Sequence, residues 1–295
     1  MPEPRPGPDE DLCRVAYATV NPLDVWVTDG TVAGGSQRLP FVPGADGVGE
    51  IDGRLVLLRG FGLGVRRDGL YRELAGVPSA APIALPGGVD PAQAAGLGVA
   101  GASAWAVVHE VGRVRPEDRV LVLGSSGGVG SLAVQLAKAA GAFVVGQTTS
   151  PEKARFVEGL GADGVVVAPA DALAERAAAF EPTVALDPLG NGFTPAAAAA
   201  LRPFGRIVLF GASAGPVAES FDLRALYRTS IQLLTYSGTI EPEDRVRASL
   251  GHAMEALTRG ELRVPIDEVL PLEEANEAHR RIREREVRGK LLLQP

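Results

Sequence analysis

The residues best suited to chemistry lie between Val120 and Lys138. Val120–Leu123 reads as a buried strand, a glycine-rich turn follows, and a helix starts near Gly128. The glycines are spaced Gly124-x-x-Gly127-x-x-Gly130, with Gly128 inside, rather than as the strict G-x-G-x-x-G. Such a turn lets the backbone approach a pyrophosphate closely, while free amides and the helix dipole face the anion. Gly130 suits close packing of helix on strand. A glycine-rich turn alone matches many ordinary loops. Its position after a strand and before a helix, in a run of alternating units, supports dinucleotide binding.

The end of the next strand, Phe143 to Lys153, bears on which dinucleotide. An NAD site usually places Asp or Glu there to hold the ribose 2′-hydroxyl. This chain offers Gln147, Thr148, Thr149 and Ser150, with Lys153 a few residues on. Hydroxyls and a lysine suit a 2′-phosphate, which predicts NADPH rather than NADH. Ser150-Pro151-Glu152 also fits a cap on the following helix, and the two roles are compatible.

Other candidate groups lead elsewhere. Gly211-Ala-Ser-Ala-Gly215 matches a nucleophile elbow, with Asp222 and His279 in the Ser…Asp…His order of α/β-hydrolases. Pro216 and the sparse apolar pattern beyond it give no helix to complete that motif, so a serine hydrolase is disfavoured. His109, His252 and His279 fall in predicted helices without metal-ligand spacing, and are expected on helix surfaces. Cys13 is the sole cysteine, which predicts no internal disulfide, no cysteine zinc cage and a reduced, cytoplasmic location.

These groups need a scaffold. The chain has 295 residues, 46% of them hydrophobic and 5% aromatic, which suits one large or two moderate domains of tightly packed strands and helices. A net charge of −7 argues against nucleic-acid and membrane-surface partners. No apolar stretch reads as long and uninterrupted enough to span a bilayer, and no signal peptide opens the chain. Met1 to Gly7 reads as a surface arm and Leu12–Val20 as a strand. Gly30 to Gly64 reads as a turn-rich β region with strands at Val48–Ile51 and Arg54–Leu58. Pro91–Val111 is predicted helical, with Asp90 as N-cap. Strands at Arg119–Leu123, Phe143–Gln147, Val165–Val167, Val184–Leu186 and Ile207–Phe210 then alternate with helices at Val129–Ala140, Glu152–Leu160 and Pro195–Leu201. That alternation implies a parallel sheet covered on both faces. Arg245–Arg259 and Leu272–Arg285 look helical, and Lys290–Leu293 reads as a returning strand.

With these residues in view, the chain resembles the medium-chain dehydrogenase/reductase superfamily, in its zinc-free quinone oxidoreductase branch. The markers are Asn21-Pro-Leu-Asp24, Pro43 to Gly49, Gly124–Gly130, Asp187-Pro-Leu-Gly190, Phe210-Gly-Ala-Ser213 and Arg288-Gly-Lys290. The resemblance implies an α/β protein: a Rossmann NADPH-binding domain over 100–238, inserted in a mostly β, partly open-barrel (GroES-like) catalytic domain over 1–99 and 239–295. That catalytic domain looks trimmed at its N-terminus and again at Gly49 to Val56, which either opens the substrate cleft or reflects an incomplete start.

The resemblance also implies roles. Asn21 would line the pocket near the nicotinamide, although Asn21-Pro22 is also an ordinary turn. Ser103 would touch the nicotinamide end, or cap backbone within a helix. Ser126, Gly127, Gly128 and Val129 would cradle the pyrophosphate. Thr148, Ser150 and Lys153 would meet the 2′-phosphate, and Phe210, Gly211 and Ala212 would run along the nicotinamide half. Zinc-dependent relatives carry a cysteine near Asn21 and a histidine where Ala45 stands, so no metal is expected. Trp26 stands near a tyrosine of relatives and cannot donate its proton, so no general acid is assigned; Asp24 and Tyr17 are read as structural. The expected activity is hydride transfer from NADPH to a quinone or α,β-unsaturated carbonyl, the small-molecule partner. Val56–Gly64 and Gly69–Leu74 resemble the acryloyl-CoA reductase branch, which keeps an enoyl-thioester substrate open, with Arg66 and Arg67 as candidate anion partners. A non-catalytic NADPH-binding or structural role is the alternative of another class. A homodimer is expected through an edge strand at about Ile231–Ser237.

Overall fold

The computed structural model describes residues 4–32, 39–217 and 221–295. Met1 to Glu3 of the expected arm and residues 33–38 of the β region lie outside the described residues. The chain divides into two compact units: Met1–Gly101 with Met254–Thr258 and Arg263–Pro295, and Ala102–Ala253 with Arg259–Leu262.

The first unit opens with β1 (Glu10–Val20), α1 (Pro22–Thr28), β2 (Asp46–Ile51), β3 (Arg54–Arg59), β4 (Leu74–Pro78), β5 (Ile83–Ala84) and α2 (Pro91–Trp105). Strand β2 turns into β3 through Asp52-Gly53, both at positive φ (49° and 74°). Two such residues match the twist of a tight hairpin, and Asp-Gly is suited to them. Asp90 caps α2 as expected, its Oδ1 accepting the Ala92 amide at 2.9 Å. The helix does not stay α to Val111: Ala106–Val111 is a π-helix. Against the sequence expectation, Pro91–Val111 is long and apolar enough to cross a bilayer by composition, and 72% of its apolar window is buried in the fold.

The second unit contributes β6 (Arg119–Val122), α3 (Gly128–Ala139), β7 (Phe143–Thr148), α4 (Ala154–Gly159), β8 (Gly164–Val167), α5 (Ala170–Ala178), β9 (Val184–Asp187), α6 (Phe193–Ala200), β10 (Arg206–Leu209), α7 (Leu223–Thr229), β11 (Gln232–Thr235) and α8 (Glu243–Thr258). Six parallel strands run in the order β11-β10-β9-β6-β7-β8. This is the doubly wound order of a dinucleotide fold, whose switch point falls between β6 and β9. Buried Leu121, Leu123, Ala185 and Ile207 lie in the core on one face of the sheet, with Leu173 and Ala197 of the covering helices.

The chain returns to the first unit with β12 (Ile266–Pro271), α9 (Ala275–Arg283) and β13 (Lys290–Gln294). There a mixed seven-stranded sheet runs β12-β13-β1-β2-β3-β5, with β4 also on β1. Strand β1 pairs β4 along Glu10–Arg14 and β13 along Ala18–Val20. The last strand of the chain is thereby tied to the first.

Six elements escape the sequence reading: α1, β4, β5, α5, α7 and β12. They are short or weakly patterned: α7 buries none of its side chains, and β5 is two residues long. Residues 239–253 group with the second unit, 15 residues past the expected boundary at 238.

Candidate functional site

The glycine turn follows β6, at the carboxyl ends of the strands in the second unit. Gly124 takes φ +56°, and its carbonyl accepts the Gly127 amide at 2.9 Å. Gly127 is extended and precedes α3. A Cβ on Gly130 would stand 2.3 Å from the Gly124 oxygen, so only glycine permits this approach of helix to turn. A Cβ on Gly127 would meet only that same oxygen, at 3.4 Å, and is otherwise in open space. Ser131 donates its amide back to Gly127 at 2.9 Å. Among the described residues, the amides of Gly128, Val129 and Gly130 meet no acceptor, as the first turn of a helix leaves them. Ser126 is buried beside them.

The polar end of β7 separates into two parts. Gln147 and Thr148 are buried, while Ser150 and Lys153 lie beyond the strand around a short 3-10 segment, Pro151–Lys153. Thr148 Oγ1 accepts the Ser150 amide at 3.2 Å. Ser150 Oγ makes no side-chain cap; it donates to Glu152 Oε2 at 2.7 Å. The strand end lacks a carboxylate in sequence, yet Glu152 brings one against the serine.

Phe210, Gly211 and Ala212 follow β10, alongside the end of β9. The Phe210 amide donates to Asp187 O at 2.9 Å, and a Cβ on Gly211 would lie 2.5 Å from Pro188 O. Asp187 is buried and accepts from Thr194 Oγ1 (2.6 Å) and the amides of Leu189 (2.7 Å) and Gly190 (3.1 Å). Ser103 is half-buried on α2. The hydrolase arrangement does not form. Ser213 Oγ donates to Pro188 O at 3.1 Å, and Asp222 caps α7 through the Arg224 and Ala225 amides. His279 belongs to the other unit.

In the first unit Asn21 is the hub of a buried polar cluster. Pro22 suits the opening of α1, and Asp24 Oδ2 reaches back to the Asn21 amide at 2.8 Å. Asn21 Nδ2 donates to Asp46 Oδ1 (2.7 Å) and to Asp24 Oδ2 (3.2 Å). Asn21 Oδ1 accepts from Lys290 Nζ at 2.6 Å. Asp24 Oδ1 accepts the Ala45 amide at 2.9 Å, and Asp46 Oδ2 accepts the Val99 amide of α2 at 2.5 Å. Asp46 reaches the helix because residue 98 is glycine: a Cβ there would stand 2.4 Å from Asp46 Oδ2.

Burial, and then the nearby Asp46, raise the Asp24 carboxyl to about 7, although three donors pull it down. Burial lowers the Lys290 ammonium, and the two carboxyls oppose that shift. The Tyr71 hydroxyl lies 3.5 Å from Thr19 O; burial raises it, followed by the charges of Asp24 and Asp46. The arrangement can hold a proton on Asp24 near neutral pH. His279 is not on the helix surface as expected. It is buried with its ring 5.8 Å from Tyr71, and its Nε2 has no hydrogen-bond partner among the described residues.

Sequence reasoning quoted Asp46 and Lys290 within motifs but gave them no role, and it missed Tyr71. Their contacts join residues up to 270 positions apart. The close packing at Gly98 leaves no separate mark in the sequence.

Residues 128–251 match the zinc-binding dehydrogenase family. A quinone oxidoreductase of Pseudomonas aeruginosa is 28% identical over 98% of this chain and 92% of its own. A crystal structure of an NAD-dependent alcohol dehydrogenase superposes with a TM-score of 0.89 at 30% identity, over 100% of this chain and 94% of its own. The quinone oxidoreductase of Thermus thermophilus, solved also with NADPH, gives 0.86 at 28% identity over 100% and 94%. With the doubly wound sheet and its glycine turn, these matches define the class: the chain belongs to the medium-chain dehydrogenase/reductase superfamily. Within it, the chain falls in the quinone oxidoreductase-like branch.

Proposed function

We propose that this protein is a zinc-independent, NADPH-dependent reductase that delivers hydride to a quinone or an α,β-unsaturated carbonyl. The observation that carries this reading is the turn Gly124–Gly130, with amides at the start of α3 open to an anion and a backbone approach only Gly130 allows.

The residues fit the cofactor. Ser126 to Val129 would hold the pyrophosphate, Ser150 and Lys153 the 2′-phosphate with Thr148 behind them, and Phe210 to Ala212 with Ser103 the nicotinamide half. When bound, NADPH supplies the hydride. The chain's part is to orient the reactants and exclude water, and such positioning accounts for much of the acceleration in cofactor enzymes.

The residues do not fit a catalytic zinc ion. Asn21 stands where zinc-dependent relatives carry a cysteine, and its carboxamide is held between two carboxyls and an ammonium. Ala45 stands at the histidine position and offers no donor. Among the described residues, no three His, Cys, Asp or Glu side chains gather as a metal site. A buried lysine beside the position would also repel a cation.

Assembly as a homodimer through the β11 edge and a cytoplasmic location complete the reading. The test is a fluorescence titration with NADPH and NADH, followed by an acceptor screen across quinones, enones and enoyl-CoAs. Tighter binding of NADH would overturn the cofactor assignment. NADPH binding without oxidation by any acceptor would favour a non-catalytic role.

A further inference from the structure

Gln147 stands at the end of β7, where a residue facing the ribose is expected, yet it is fully buried. A buried carboxamide is costly unless its donors and acceptor are matched. One match lies in the glycine turn and the other just past β8. Oε1 accepts the Gly124 amide at 3.0 Å, and Nε2 donates to Ala168 O, just past β8, at 2.8 Å. The backbone carbonyl of Gln147 also takes the Ser125 amide (3.0 Å) and the Ser125 hydroxyl (2.8 Å). One residue thus engages three groups of the turn and braces them on the neighbouring strand.

We propose that Gln147 is a positioning residue of the cofactor site, clamping the Gly124 peptide so that the amides at the start of α3 point at the pyrophosphate. The inference rests on the cofactor reading above. Gly124 sits at φ +56°, and its carbonyl both closes the turn on Gly127 and abuts Gly130. Gln147 holds the peptides on both sides of that residue: its side chain takes the Gly124 amide of the preceding peptide, and its carbonyl takes the Ser125 amide of the following one. The brace distinguishes Gln147 from Ser150 and Lys153. A contact with the 2′-phosphate serves NADPH alone, whereas the shape of the turn serves the pyrophosphate common to NADPH and NADH.

The test uses the full chain with Gln147→Met, which keeps the volume and removes both side-chain hydrogen bonds, and Gln147→Glu. Binding of NADPH and NADH is followed by nucleotide fluorescence, well below each variant's melting temperature. Gln147→Met is expected to weaken both cofactors by the same factor, about ten-fold or more. In Gln147→Glu, a buried and protonated carboxyl can accept from Gly124 and donate to Ala168 O, as the amide does. When ionised it cannot donate, and it adds negative charge near the phosphates. This variant should therefore bind NADPH almost as wild type at mildly acid pH and lose affinity as pH rises, relative to wild type at each pH. Unchanged affinity in a folded Gln147→Met, or a pH profile of Gln147→Glu parallel to wild type, would overturn the positioning role. Loss of NADPH binding alone would move Gln147 to the ribose and also overturn it. Should Gln147→Met not fold, the Gln147→Glu profile decides. A wild-type protein that binds neither nucleotide would instead sink the cofactor reading itself, and this inference with it.

Discussion

Lys290, from the last strand of the chain, donates a 2.6 Å hydrogen bond to Oδ1 of Asn21, at the end of the first. The carboxamide has its other face toward Asp24 and Asp46. A neutral side chain thus separates an ammonium from two carboxyls, all buried. This makes Lys290 the countercharge of the cluster.

Removing that charge alone should be severe. Lys290→Met leaves the Asn21 Oδ1 without its charged donor and the buried carboxyls without their nearby cation, and losing a hydrogen bond from a charged group to a buried acceptor typically costs about 1.5–3 kcal/mol. Urea unfolding at neutral pH should show a loss of this order. A loss within the range of an ordinary surface substitution would mean that the cluster is not charge-balanced by Lys290.

Asp24 should give stability a definite pH slope. Its carboxyl is raised to about 7, against roughly 3.9 in an unfolded chain. Between those values the folded state holds the extra proton, so this contribution is full at low pH and declines as pH rises through about 7. Asp24→Asn should flatten that part of the profile relative to wild type, measured by denaturant midpoints across pH. Parallel profiles would reject the assignment.

Gly127 and Gly130 should fail differently. At Gly127 the backbone is unstrained and the space open, so Gly127→Trp should fold and lose NADPH and NADH alike. Gly130→Ala puts a methyl 2.3 Å from a backbone oxygen and should lower the melting temperature, by the 1–3 kcal/mol or so typical of overpacking. Circular dichroism melts with nucleotide titration separate the two. A Gly127→Trp variant with wild-type affinity would refute the cradle.

Glu152 should temper cofactor choice. Its carboxylate is hydrogen-bonded to Ser150, where the 2′-phosphate is proposed to sit. Glu152→Gln removes a repelling charge and should tighten NADPH several-fold, leaving NADH near its wild-type value. An unchanged NADPH to NADH ratio would show that the carboxylate swings clear.

The β11 edge should carry the dimer. Leu233 is 49% exposed on that edge strand, which leaves backbone groups and apolar surface open to pairing. Size measurement should give a dimer, and Leu233→Lys should shift it toward monomer. A monomeric wild type at micromolar concentration would exclude the arrangement.

Much of the second unit was legible in the sequence because its information is local. Continuous apolar strands, a glycine turn and alternating helices place β6, α3 and β7 to within a residue or two, and Gly130 announced its packing role. Helix α7 was not legible, since its seven residues bury no side chain and leave no periodicity. In the first unit, the apolar run after Leu12 and the glycine- and proline-punctuated β-like runs marked β1 and the β2 and β3 strands, but β4 and β5 are too short to stand out.

By itself the sequence determined the alternating architecture, the glycine turn and the absence of a cysteine and histidine at Asn21 and Ala45. Each depends on residue type and near spacing, which the chain carries in one dimension. Only the tertiary structure decided what the polar residues do. Gln147 turns inward to hold Gly124, Glu152 comes against Ser150, and His279 is buried beside Tyr71 rather than exposed. Asn21 becomes the hub between Lys290, Asp24 and Asp46 because β13 returns beside β1. The physical reason is the cost of burying a polar group: each must find a partner, and which partner is near is settled by the packing of distant segments.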